Sequence, residues 1–128
     1  MRDEDSVRLR HMVEAAQSAI EFVSGRQRAD LDQDRMLLFA VTRAIEIVGE
    51  AAAKISDETR SEHGGISWKA IIGMRNRLVH AYFDINADVL WQTVTVEIPQ
   101  ILPALVALCA TGRSTQWPAS TTIGSAKR

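Results

Sequence analysis

Residues 33–55 read QDRMLLFAVTRAIEIVGEAAAKI, and their spacing decides the fold class. Leu38, Val41, Ile45, Val48, Ala52 and Ile55 recur every three or four residues. At 3.6 residues per turn that spacing draws them into one apolar stripe. Arg43 and Glu46, three apart, fall on a polar side, and Glu50 and Lys54 form an i,i+4 pair in the favoured order. Asp30 or Asp32 is placed to cap this helix, because a carboxylate there accepts its unpaired backbone N–H groups. Upstream, residues 7–24 carry Leu9, Met12, Val13, Ala16, Ile20 and Val23 at the same spacing, and Gly25 follows as a stop. Downstream, Ser56 opens a short turn, SDETRSEH, that Gly64 and Gly65 end. Ser67 is the cap expected for a helix from Trp68 to about Tyr82, and Asn86 for a last helix from about Ala87 to Ala110. In that last helix Leu90, Val94, Ile98, Ile101, Leu105 and Leu108 face inward, and Pro99 is expected to kink or break it. No strand-like alternation runs for any useful length. The expected architecture is all-α: an antiparallel helical bundle of four main helices and one short one, filling 1–110. Residues 111–128, rich in Ser and Thr, are expected to be a loosely held tail.

Composition narrows the function classes. The chain has 128 residues, 46% hydrophobic and 24% charged, the proportions of one globular domain. Its net charge of −1 excludes holding nucleic acid by bulk charge alone. The charge is uneven: residues 1–64 hold 9 basic and 13 acidic side chains, residues 65–128 hold 6 and 3. No acid lies between Glu62 and Asp84, where Lys69, Arg75 and Arg77 fall. One cysteine, Cys109, allows neither an intrachain disulfide nor a Cys-based zinc site. The N-terminus lacks the apolar run of a signal peptide. The most apolar stretch, 98–110, is short of the ~20 residues of a membrane span and carries two prolines. These features point to a cytoplasmic protein with no membrane partner.

Gly73-Met74-Arg75-Asn76-Arg77-Leu78-Val79-His80-Ala81-Tyr82 is the segment that carries chemistry. On a regular helix Asn76 and His80 stack four apart and Arg77 shares their side, whereas Arg75 and His80 lie roughly 140° apart. A curled Arg75 side chain, a deformed helix end, or two subunits each supplying half a site would join them. A guanidinium grips phosphate and stabilises the added charge of a phosphoryl transition state. An imidazole exchanges a proton near neutral pH. Together they suffice, without a metal, to drive an RNA 2′-hydroxyl onto its own 3′-phosphate. The plain alternatives are a histidine complementing a helix C-terminus, solvated arginines, and a tyrosine packed at a helix end.

Arg75, His80 and Tyr82 form an R-x4-H-x-Y pattern that resembles the HEPN superfamily, specifically the HepT-like toxins paired with minimal nucleotidyltransferase antitoxins. The likeness continues through RLRHMVEAAQSAIEF at 8–22, RADLDQD at 28–34, AIEIVGEAA at 44–52, ISWKAIIGMRNRLVHAYFDI at 66–85 and LWQTVTVEIPQI at 90–101. It covers about residues 2–110.

The resemblance implies a homodimeric helical bundle, the toxin of a type VII-like toxin–antitoxin pair, cutting RNA by 2′-hydroxyl attack without metal or other cofactor. Arg75 then corresponds to the phosphate-binding arginine, His80 to the catalytic histidine and Asn76 to the polar residue supporting them. Tyr82 corresponds to the tyrosine that the cognate nucleotidyltransferase AMPylates to silence the enzyme. Added AMP phosphates beside Arg75 and Arg77 would exclude an RNA phosphate by charge and volume. Glu46 and Arg43 either orient a motif residue or form a surface ion pair, and Gly49 permits close helix approach. The rival reading is a non-catalytic module that binds nucleotide or RNA, or docks the nucleotidyltransferase.

Overall fold

The computed structural model describes residues 1–81 and 84–112, without the side chains of His80, Ala81 and Gly112. Three long helical spans build the core. The first is α1 (Asp3–Val23); a short α2 (Asp30–Gln33) leads into the second, α3 (Arg35–Ala53). Next come α4 (Asp57–Glu62), α5 (Trp68–Ile72) and α6 (Met74–Leu78), then a two-stranded antiparallel hairpin of β1 (Val79–Ala81) and β2 (Asp84–Ile85). The third span begins as α7 (Ala87–Gln92), widens into a π-helical turn (Thr93–Glu97) and continues as α8 (Ile98–Gly112).

The apolar stripes meet as their spacing predicts. Leu9, Met12, Ala16 and Ala19 of α1 and Val41, Ile45, Val48 and Ala52 of α3 are buried where these two helices pack, and Val94, Ile98 and Leu105 of the third span are buried where it packs on α1. Each Leu or Ile so enclosed contributes about 1.5–3 kcal/mol relative to an exposed one. The third span, Ala87–Thr111, holds a window of mean hydropathy 1.6 and is by length and composition long and apolar enough to cross a membrane. Its inward side packs on α1.

Two polar clamps fix the ends. Asp5, 2% exposed, accepts hydrogen bonds from the Ser56 backbone N–H (2.9 Å) and hydroxyl (2.7 Å) and from the Thr59 hydroxyl (2.6 Å). Burial pushes its carboxyl pKa up, but these hydrogen bonds and the nearby Arg2 outweigh burial and hold it below its ordinary value. The start of α1 is thereby tied to the cap of α4. Arg28 sets Nε and Nη2 on Asp88 (2.8 and 2.7 Å) and Nη1 near Asp32 (3.1 Å), joining α2 to α7.

Several local expectations change. Asp34, not Asp30 or Asp32, caps α3, accepting from the Leu37 N–H (3.1 Å), because its backbone is extended there while Asp30 already sits inside α2. Ser56 and Asn86 cap α4 and α7 as expected, but Ser67 makes no side-chain cap. Glu50 turns to Arg43 rather than forming the i,i+4 pair with Lys54. The helix expected over 68–82 is broken at Gly73 and stops at Leu78. β-branched Val79 pairs with Ile85, and the Asn86 N–H donates to the Leu78 carbonyl (2.7 Å), so a hairpin satisfies backbone groups that another helical turn would have used. Pro99 does not break the last helix. It lacks an N–H, and just before it the Ile98 N–H reaches five residues back to Thr93, widening one turn so that the helix continues. Of the tail expected over 111–128, Thr111 and Gly112 continue α8, and residues 113–128 lie outside the described residues.

Candidate active site

The site grows from the way α5 and α6 sit on α3. Ile71, Met74 and Leu78 are buried, and their spacing turns Arg75, Asn76 and Arg77 outward, where all three are exposed. Trp68 anchors the start of α5, its indole N–H donating to the His63 carbonyl (3.1 Å). Gly49 is where the helices cross: a Cβ there would lie 3.3 Å from the carbonyl oxygens of both Ile71 and Ile72. The close approach expected of Gly49 is therefore present, and it sets the polar side of α3 beside Arg75.

Glu46 fills that position. Its Oε2 accepts from Arg75 Nε at 2.8 Å, and its Oε1 lies 3.5 Å from Arg43 Nη1. Arg43 leans more closely on Glu50, at 3.2 Å. Glu46 is 19% exposed and Arg75 44%, so the carboxylate is sheltered and the guanidinium is at the surface. Among the described residues Arg75 is engaged through Nε. Its terminal nitrogens make no hydrogen bond among the described residues, which leaves the fork that grips phosphate available.

Arg77 takes the other direction. Its Nη2 and Nη1 meet Glu97 at 3.0 and 3.3 Å, and Nη2 also approaches the Ala70 carbonyl (3.5 Å). The two arginines are thus held by different helical spans, Arg75 by α3 and Arg77 by the π-helical turn, with Asn76 between them. Glu97 was not singled out from the sequence. It stands twenty residues from Arg77, and the one signal was its rarity as an acid in the second half of the chain.

The helical-wheel separation of Arg75 and His80 no longer applies. The chain leaves the helix after Leu78, so His80 stands on the extended backbone of β1, and Asn76 and His80 do not stack at helical spacing. Of the routes that could unite Arg75 with His80, the helix end does deform. The side chain of His80 and the whole of Tyr82 lie outside the described residues. Among the described residues no three His, Cys, Asp or Glu side chains gather to hold a metal ion.

Comparison with known proteins points the same way as the motif. The family model "Ribonuclease HepT-like" matches residues 12–108. A protein of Caldanaerobacter subterraneus subsp. tengcongensis, provisionally named an RNase, is 38% identical over 93 residues, 73% of this chain and 83% of its own. A Methanocaldococcus jannaschii protein with a similarly provisional RNase name is 36% identical over 90 residues, 70% of this chain and 83% of its own. A Thermococcus cleftensis protein named "Probable ribonuclease HepT" is 38% identical over 93 residues, 73% of this chain and 84% of its own. No solved structure matches the chain.

Proposed function

The chain belongs to the HepT-like ribonuclease family, and from that membership we propose that it is an RNA endonuclease toxin whose site is built on Arg75, Asn76 and His80. The observation that carries this reading is the single-point grip of Glu46 on Arg75, which orients an exposed guanidinium and leaves its phosphate-binding fork open. In the proposed reaction a base removes the proton of an RNA 2′-hydroxyl, and that oxygen bonds to the adjacent phosphorus. The bond from phosphorus to the 5′-oxygen breaks, and the leaving oxygen takes a proton. The products are a 2′,3′-cyclic phosphate and a 5′-hydroxyl. His80 moves the protons and Arg75 offsets the charge that builds on the phosphoryl oxygens.

Two protons move at two places, so two histidines suit the reaction better than one. A homodimer supplies the second. The exposed side of α3 supports that arrangement: Met36, Phe39, Arg43, Glu46 and Glu50 follow one another at helical spacing. Met36 is 82% exposed and Phe39 50%, with the Arg35 guanidinium 5.6 Å from the Phe39 ring centroid. An apolar patch continuous with the residues that hold Arg75 suits burial by a second copy.

In the same reading a cognate nucleotidyltransferase silences the toxin by attaching AMP to Tyr82. The reaction needs no metal, and the protein acts in the cytoplasm as one half of a toxin–antitoxin pair. Purified protein is expected to cleave single-stranded RNA equally well with and without a chelator. His80→Ala and Arg75→Ala should abolish cleavage with melting unchanged, and full activity in both variants would remove these residues from the mechanism. Co-expression with the partner should raise the intact mass in AMP steps, and should not do so for Tyr82→Phe. Partner binding by wild-type protein that cleaves no RNA would favour the non-catalytic docking module.

A further inference from the structure

Between α4 and α5 lies a pocket of about 460 Å³ lined by Asp57, Arg60, Ser61, Trp68, Lys69 and Ile72. Its chemistry differs from that of the Arg75 site. Among the described residues Asp57 is the only carboxylate in the lining, and Arg60 already holds it at 2.7 Å. Lys69 is exposed and has no ion pair among the described residues. It also sits in the acid-free stretch between Glu62 and Asp84. The lining therefore carries a net positive charge, with a hydroxyl from Ser61 and an apolar floor of Trp68 and Ile72. The hydrogen bond from the Trp68 indole to the His63 carbonyl fixes that floor.

The pocket adjoins the Arg75 site. Ile72, which lines it, presents its carbonyl to Gly49 at the crossing where Glu46 holds Arg75. Lys69, on α5, precedes Asn76, on α6, by seven residues across the break at Gly73, so the pocket's lysine and the candidate site stand on consecutive short helices.

We propose that this pocket is a subsite for the RNA strand beside the cleaved linkage. Lys69 and Arg60 are positioning residues that hold a neighbouring phosphodiester, and the ribose or base of that nucleotide rests on Trp68 and Ile72. The proposal rests on the ribonuclease reading above. It makes RNA longer than a dinucleotide a better substrate, and it assigns that preference to α4 and α5, elements that carry none of the proposed catalytic groups.

The test separates binding from cleavage. Binding of a 2′-O-methyl RNA dodecamer, which lacks the nucleophile, is followed by fluorescence anisotropy across a salt series. Lys69→Gln and Arg60→Gln should each weaken binding about three- to tenfold and make the salt dependence shallower by roughly 0.7 per lost contact, the single-strand value. Arg26→Gln, on the loop between α1 and α2, should do neither. In cleavage, Lys69→Gln should raise KM for an unmodified dodecamer and leave the rate on a dinucleotide unchanged, since a dinucleotide has no second phosphodiester for Lys69 to hold. Wild-type salt slopes and KM in both variants, with active wild-type enzyme, overturn the subsite and leave the ribonuclease reading intact. Wild-type protein that cleaves neither RNA, while Lys69→Gln still flattens the salt slope, overturns the ribonuclease reading and keeps the pocket as an RNA contact. Loss of a protein partner in these variants, with RNA binding unchanged, overturns the subsite in favour of a docking surface.

Discussion

Replacing Glu46 with alanine tests the contact on which the proposed site depends. The bond removed is 2.8 Å long and joins a sheltered carboxylate to a guanidinium that is 44% exposed. For stability the change is small. A partly exposed pair is worth about 0–1 kcal/mol, and Arg43 keeps Glu50 at 3.2 Å after losing its weaker partner at 3.5 Å. Alanine also favours the interior of α3 slightly more than glutamate does. For catalysis the change is large. Without an anchor on Nε, the guanidinium swings on its flexible stem, and a displacement near 1 Å costs up to about 100-fold in rate. Glu46→Ala is therefore expected to lower kcat by roughly 10- to 100-fold, about 1.4–2.7 kcal/mol in the barrier. Its KM should stay level or fall, because a negative charge beside the substrate phosphate has gone. Glu46→Gln keeps an acceptor in the same place and should recover most of the rate. The assay is cleavage of a fluorescent single-stranded RNA, with kcat and KM separated and thermal melting recorded alongside. Wild-type kcat in Glu46→Ala beside an inactive Arg75→Ala would refute the positioning argument. A rate loss matched by a drop of several degrees in Tm would refute it as well.

Asp5→Ala should cost about 2–4 kcal/mol in urea unfolding, because it strands the Ser56 N–H and two hydroxyls that now share a buried carboxylate; a loss below about 0.5 kcal/mol, the range of ordinary surface changes, would contradict this. The carboxyl of Asp5 is held below its ordinary value of 3.8, so its contribution is full above that pH and is lost as pH falls through the lower folded value. Acid unfolding of Asp5→Asn should accordingly show a weaker pH dependence below pH 3.8 than the wild type. Gly49→Val places a branched side chain against two carbonyls that already stand 3.3 Å from a Cβ position. It should destabilise by about 1–3 kcal/mol and slow RNA cleavage further by drawing Arg75 away from Glu46, and an unchanged melting curve would argue against the tight crossing. The Met36→Lys, Phe39→Lys double variant should melt like the wild type yet elute as a monomer and lose cleavage, whereas a persistent dimer in light scattering would move the interface off this side of α3.

Much of the fold is legible in residue spacing, because helical periodicity is local. The stripes of α1, α3 and the third span need no partner to be seen, and neither do the caps at Ser56 and Asn86. Spacing misreads residues 79–81. Val79 and His80 continue a helical pattern well enough, and only the pairing of Val79 with Ile85 and the bond from Asn86 to Leu78 make a hairpin the better home for their backbone groups. Pro99 announces a disturbance, but its outcome depends on the carbonyl the preceding turn can reach.

The candidate site divides in the same way. Arg75, Asn76 and His80 stand in one short motif, so their residue types and order are readable without coordinates, as is the family they resemble. The contacts that orient the arginines are not. Glu46 lies 29 residues from Arg75, and Glu97 lies 20 from Arg77. Either glutamate could have been a solvated surface charge. Which arginine each one meets is settled by the crossing of α3 over α5 at Gly49 and by the widened turn before Pro99. An ion pair needs two side chains within a few ångströms, and that distance is set by helix packing rather than by position along the chain.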